Sequence, residues 1–180
     1  VTSTSGVISF DGDAIATGAI SADGDITFGG TADVAGVTSQ SGVISFDGDA
    51  TASGAISAGG DITFDGDADV AEVTSTGGVI SFDGDATASG AISASGDITF
   101  GGTADVAGVT SQSGAISFTG DATASGAISA DGDITFGGNA DVAGVTSTSG
   151  AISFTGDAKA SGAISAGGDI TFDGNADVFL

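Results

Sequence analysis

The chain repeats itself with a 36-residue period, and no other feature limits its fold as strongly. The segment VTSTSGVISFDGDAIATGAISADGDITFGGTADVAG begins at Val1 and recurs, with few changes, from Val37, Val73, Val109 and Val145. Five copies fill the 180 residues without a linker. Self-similarity at a fixed period marks a solenoid, a propeller or an array. Each unit is too small to bury its own apolar face and must stack on its neighbours. The expectation is a single domain over 1–180, which reads equally well as a segment of a longer array.

A shorter period lies inside the long one. Each copy divides into six hexads of the form x-h-x-h-x-G, where h is often apolar. Glycine fills the sixth place in 28 of 30 hexads, with Glu72 and Leu180 as the exceptions, so the hexad is a structural unit. Phe recurs at one constant step, from Phe10 to Phe28 to Phe46 and on to Phe172. Ile keeps the same step from Ile8 to Ile170, Ala from Ala14 to Ala176, and Ser from Ser3 to Ser165. That step is three hexads. Three hexads therefore make one 18-residue coil, and each 36-residue repeat holds two coils.

Alternation such as Val7-Ile8-Ser9-Phe10 is a strand signal, and Asp-Gly, Ser-Gly and Gly-Gly punctuate it as turns. Glycine serves a corner by taking positive φ or by allowing close packing. A glycine at every sixth place would cost a helix roughly 1 kcal/mol each. The predicted fold is all-β: a parallel β-helix, or β-solenoid, of ten triangular coils. With strands about 4.8 Å apart, the rod is roughly 45–50 Å long. An antiparallel meander suits the Asp-Gly turns, and a propeller suits the 36-residue period, but neither explains the unbroken 18-residue ladders.

The expected core is a set of ladders: Ile8, Ile26 and Ile44; Phe10, Phe28 and Phe46; Ala14 and Ala32. On the first face of each coil the constant period points Thr2, Ile20, Thr38 and Ile56 inward, followed by Thr4, Ala22, Gln40 and Ala58. Gln40 and Gln112 then need buried partners. Val1, Ala19, Val37 and Ala55 begin an outer apolar ridge suited to lateral contact.

Composition narrows function by exclusion. The chain carries 24 acidic residues against one base, a net charge of −23, and no His, Cys, Met, Trp, Tyr or Pro. One lysine leaves no basic surface for nucleic acid. No apolar run approaches the roughly 20 residues of a membrane-spanning helix. Absent His and Cys remove thiolate chemistry, Ser-His-Asp catalysis and the usual soft-metal ligands. A repeated surface also lacks the single asymmetric pocket that an enzyme needs, so no catalytic residue is assigned.

Three surface features remain. Ser3, Ser21 and Ser39 begin one hydroxyl ladder, and Ser9, Thr27 and Ser45 begin another. Such arrays suit solubility, or the binding of ice or a mineral surface. Asp-Gly-Asp turns pair Asp11 with Asp13, Asp47 with Asp49, Asp65 with Asp67 and Asp83 with Asp85. Turn carboxylates with nearby carbonyls admit weak calcium sites, although the EF-hand spacing is absent. Finally, Phe179 and Leu180 replace the Ala-Gly expected at the end of a repeat, and read as an end contact. The open edges of a solenoid favour end-to-end stacking with a second copy.

Segments such as Gly24-Asp25-Ile26-Thr27-Phe28 and Gly18-Ala19-Ile20-Ser21-Ala22 resemble the bactofilins and the β-helical stalks of filamentous-haemagglutinin-like adhesins. The resemblance covers the whole chain as a pattern. It implies a right-handed parallel β-helix that polymerises or projects from a surface, and it carries over no catalytic or ligand residue. The expected role is a structural rod, a filament subunit or an adhesin stalk segment, extracellular or at the cell surface. Binding to an ice or mineral surface is the alternative.

Overall fold

Short apolar–polar–apolar triplets between glycine-rich corners give short strands, each too small to be stable alone. Stacking supplies what they lack. In the computed structural model, which describes residues 1–179, 23 strands build two sheets. Every strand pairing among the described residues is parallel. The fold is a parallel β-solenoid of about ten turns, each an 18-residue coil. Parallel pairing throughout excludes the meander of Asp-Gly hairpins.

The ten-stranded sheet is the second face of every turn, from Ile8–Phe10 to Ile170–Phe172. Its register is constant: Ile62 lies beside Ile44 and Ile80, and Phe64 beside Phe46 and Phe82. Neighbouring Phe rings stack with centroids 4.6–5.1 Å apart and planes within 8° of parallel. Stacking of this kind adds about 0.5–1.5 kcal/mol per pair beyond area burial. From Phe28 to Phe154 the rings are buried, whereas Phe10 and Phe172 in the first and last turns are half-buried. Ile26, Ile44, Ala14 and Ala32 are buried in the same core, and Ile8 is half-buried.

The thirteen-stranded sheet holds the third and first faces. Strands such as Ala50–Ala58 and Ala68–Ser75 run from the third face of one turn, through a corner, into the first face of the next. Here the constant period fails. Ile20 pairs with Val37, a 17-residue step, and Val37 pairs with Ile56, a 19-residue step. The same alternation continues up the rod, with a bulge at the corner where one strand crosses it on one residue fewer than its neighbours.

The slip changes which side chains enter the core. Val37, Val73, Val109 and Val145 are buried, together with Ser39, Ser75, Ser111 and Ser147. Thr2, Thr4, Thr38, Gln40 and Gln112, assigned inward by the constant period, are exposed. The outer ridge of Val and Ala does not form, because the valines of turns 3, 5, 7 and 9 point inward while Ala19 and Ala55 stay outside. The cause is desolvation: a constant register would bury threonines and a glutamine, whereas a one-residue slip buries valine and one serine.

That serine is satisfied. Ser39 Oγ donates to Gly24 O at 2.9 Å and accepts from Gly42 N at 2.9 Å. Ser75, Ser111 and Ser147 repeat both bonds with their own neighbours. No described glycine has positive φ, so these glycines act through close packing. Gly54 is a clear case: a Cβ there would fall on the carbonyl oxygen of Ala35 in the turn beneath.

Candidate functional site

Four surfaces of the rod could carry chemistry: the hydroxyl ladders, the acidic corners, a groove on the third face, and the two end turns. On the second face the outward column alternates Ser and Thr, as in Ser9, Thr27 and Ser45. On the first face the slip replaces the expected all-serine column. Ser21, Thr38, Ser57, Thr74 and Ser93 stand in line, while Ser39 and Ser75 are turned into the core. Ser3, in the first turn, pairs with the buried Ala22 and so belongs to the inward column. Both outward ladders therefore alternate Ser and Thr at the strand spacing of about 4.8 Å.

The acidic corners hold the turns together. Asp25 Oδ1 accepts the backbone N–H of Val43, one turn above, at 3.0 Å. Asp61, Asp97 and Asp133 do the same for Val79, Ala115 and Ala151 at 2.8–3.0 Å. A second corner repeats the device: Asp13 accepts from Thr31 N, Asp49 from Asp67 N, Asp67 from Asp85 N and Asp85 from Thr103 N, at 2.7–3.0 Å. Asn139 Oδ1 takes the same place below Asp157 N at 3.1 Å. A corner N–H points along the rod axis with no strand neighbour, and the carboxylate below supplies its acceptor.

The sequence reading misses this use of aspartate and takes the Asp-Gly-Asp turns as weak calcium sites. The available signal was the one-turn step from Asp25 to Val43 and from Asp61 to Val79. Of the eight acids considered for calcium, Asp13, Asp49, Asp67 and Asp85 hold backbone N–H groups. Asp47 and Asp83 accept from the hydroxyls of Ser45 and Ser81 at 3.2 and 3.3 Å, and Asp11 and Asp65 are exposed. Among the described residues no three acidic side chains converge on one point that could hold a metal ion.

On the third face an open groove of about 460 Å³ runs beside Thr123, Asp141, Lys159 and Asp177. Lys159 Nζ donates to Asp141 Oδ2 at 3.0 Å, with 64% and 58% of the two side chains exposed. Such a pair contributes about 0–1 kcal/mol and builds no site. Among the described residues no helix is long and apolar enough to cross a membrane.

The end turns differ from all others. Ile8 and Phe10 at one end, and Ile170 and Phe172 at the other, present part of their surface along the rod axis. Val1 and Val7 in the first turn are 66% and 63% exposed. The contact expected from Phe179 and Leu180 falls largely outside the described residues: Leu180 is not among them, and of Phe179 only the backbone pairing with Ala163 is described. What holds of the sequence resemblance is the parallel β-solenoid, without membership of a particular family. Comparison with protein-family models, with curated proteins and with solved structures returned no match.

Proposed function

We propose that the chain is a structural rod that assembles with copies of itself through its end turns, as a filament subunit or a stalk segment of a cell-surface adhesin. One observation carries this reading: the ten-stranded sheet keeps one parallel register from Ile8–Phe10 to Ile170–Phe172, and in those two outermost strands the Ile and Phe side chains are only half-buried. Exposed parallel edges template further strands. The net charge of −23 keeps the sides of such rods apart and directs association to the ends. An extracellular or surface location accords with a chain rich in acidic residues, 24 against one base. Electron microscopy of the purified chain tests the proposal. Filaments with an axial repeat near about 4.8 Å support it; short single rods at every concentration and salt level sink it.

A second reading draws on the alternating Ser/Thr ladders, present on two faces rather than one. A flat hydroxyl array of regular spacing suits an ordered surface such as ice or a mineral. Thermal hysteresis or saturable adsorption, lost when Thr27, Thr63 and Thr99 are replaced by lysine, would favour it over the structural role.

A further inference from the structure

The charge that keeps these rods apart acts on the second and third faces far more than on the first. The third face carries Asp33, Asp69, Asp105, Asp141 and Asp177 down its middle. Asp-Gly corners such as Asp47, Asp65 and Asp83 border the second face. Of the 24 acids, among the described residues, only Asp23, Glu72 and Asp131 lie on the first face. A rod of charge −23 thus has one long side that is nearly neutral, and it is the side where the register slips.

The slip also gives that side a relief. Turns with an outward Ser carry Ala beside it, as in Ala91 and Ser93. Turns with an outward Thr carry Gly beside it, as in Gly108 and Thr110. Thr38, Thr110 and Thr146 stand exposed, whereas Ser57, Ser93 and Ser129 between them are half-buried. Each column therefore alternates a taller and a shorter residue, turn by turn, with a repeat of about 9.6 Å. The exception is Glu72, which stands where Gly36, Gly108 and Gly144 stand in the other Thr turns.

We infer that the first face is a lateral docking surface for a second copy of this chain, seated face to face and antiparallel. A two-fold axis in the interface, crossing the rod between two turns, sets each column against itself and each turn against one of the other kind. Thr then enters the hollow over Ser, and Ala the hollow over Gly. Hydroxyls both donate and accept, so the facing ladders can bond to one another. A parallel pair about an axis along the rod sets Thr against Thr and loses the fit. The acid-bearing middle of the third face stays outside the contact. The three outward columns span about 13 Å, so each 36-residue repeat contributes about 125 Å² per copy, and four repeats bring the pair to about 1,000 Å². That is close to the least a specific interface needs, so the remaining repulsion decides whether pairs form. The inference does not depend on association at the ends.

Sedimentation of the purified chain against salt tests it, with electron microscopy to read the width of the particles. Paired rods are expected in about 1 M salt, where the acids are screened, and fewer at low salt. Ser57→Thr/Ser93→Thr/Ser129→Thr keeps every hydroxyl but fills the hollows, and is expected to weaken pairing about tenfold or more. Ser81→Thr/Ser117→Thr/Ser153→Thr, the same change on the second face, should leave pairing as it was. Glu72→Gly removes the one acid in the Ala/Gly column and should strengthen it. Circular dichroism checks that each variant keeps the fold. Equal effects of the two triple variants, or none from either, overturn the docking face. Single-width rods at every salt level overturn it too; if they also show thermal hysteresis that the first-face variant retains, the face belongs to ice instead. Single-width filaments that neither triple variant changes overturn the lateral contact and leave association at the ends standing.

Discussion

The first and second faces of this rod are made from the same hexad yet solve burial in different ways. On the second face Ile and Phe sit at the same two places in every turn, so a constant 18-residue step stacks like on like and buries everything apolar. On the first face the odd turns read Val-Thr-Ser-Thr or Val-Thr-Ser-Gln, and the even turns read Ala-Ile-Ser-Ala. No single step buries the apolar residues of both. The backbone slips by one residue at alternate corners, and in a strand a one-residue slip exchanges the inner and outer sets completely. Side-chain burial, and not the period of the sequence, chooses the register.

The second face should be the less forgiving of the two. Phe82 is 1% exposed with a stacked ring on either side, and no corner can rearrange to fill its place. Phe82→Ala is expected to cost about 3–5 kcal/mol, measured by denaturant unfolding. A loss below about 1 kcal/mol would mean that the Phe column contributes far less than its burial implies.

On the first face the sharpest contrast lies between two serines that look alike in the sequence. Ser75 is buried, donating to Gly60 O at 2.8 Å and accepting from Gly78 N at 3.0 Å, while Ser57 is in the outward column. Ser75→Ala leaves both backbone groups without that partner and is expected to cost about 1–3 kcal/mol. Ser57→Ala should stay within about 0.5 kcal/mol. Equal effects in thermal unfolding would place both serines in the same environment and contradict the slip.

The corners that permit the slip are pinned by aspartate. Asp61→Ala removes the acceptor below Val79 N and is expected to cost about 1 kcal/mol. Asp61→Asn should recover most of it, since at the second corner Asn139 Oδ1 accepts the Asp157 N–H in the same way. Faster amide exchange at Val79 in the alanine variant, reversed in the asparagine variant, distinguishes a lost hydrogen bond from a changed surface charge.

Much of the solenoid was legible because ladders of Phe, Ile and Ala at a fixed step admit few other folds. The ten turns and the parallel pairing follow from Phe10 to Phe172 alone. The first face was not legible under a constant period, although its signal is present. Val37 stands where even turns carry the outward Ala19 and Ala55, and Thr38 stands where they carry Ile20 and Ile56. Reading hydrophobicity within each turn, rather than down each column, points Val37 inward. The aspartate acceptors stayed hidden for a different reason: an Asp beside a glycine looks like any solvated turn until the N–H one turn above is known to lack a strand partner.

The slip itself can be reversed by making one odd turn even. Val109→Ala/Thr110→Ile/Gln112→Ala gives residues 109–112 the pattern found at 55–58, with Gly108 already at the corner place that Gly54 holds. The isoleucine at 110 can then lie at the constant 18-residue step from both Ile92 and Ile128, and the corner before it lengthens by one residue. Apolar volume is roughly conserved, so stability should change by less than about 1.5 kcal/mol, a small effect beside the change in geometry. That change should be large, because Ser111, buried at 3% exposure, moves to the outer face. A cysteine placed at 111 reports it: slow thiol labelling in the native background, and labelling at the rate of an exposed thiol in the triple variant. If the thiol stays protected in both, the corners and not the buried side chains set the register. The 17- and 19-residue steps would then be a property of the backbone path, imposed by Gly54 and its equivalents.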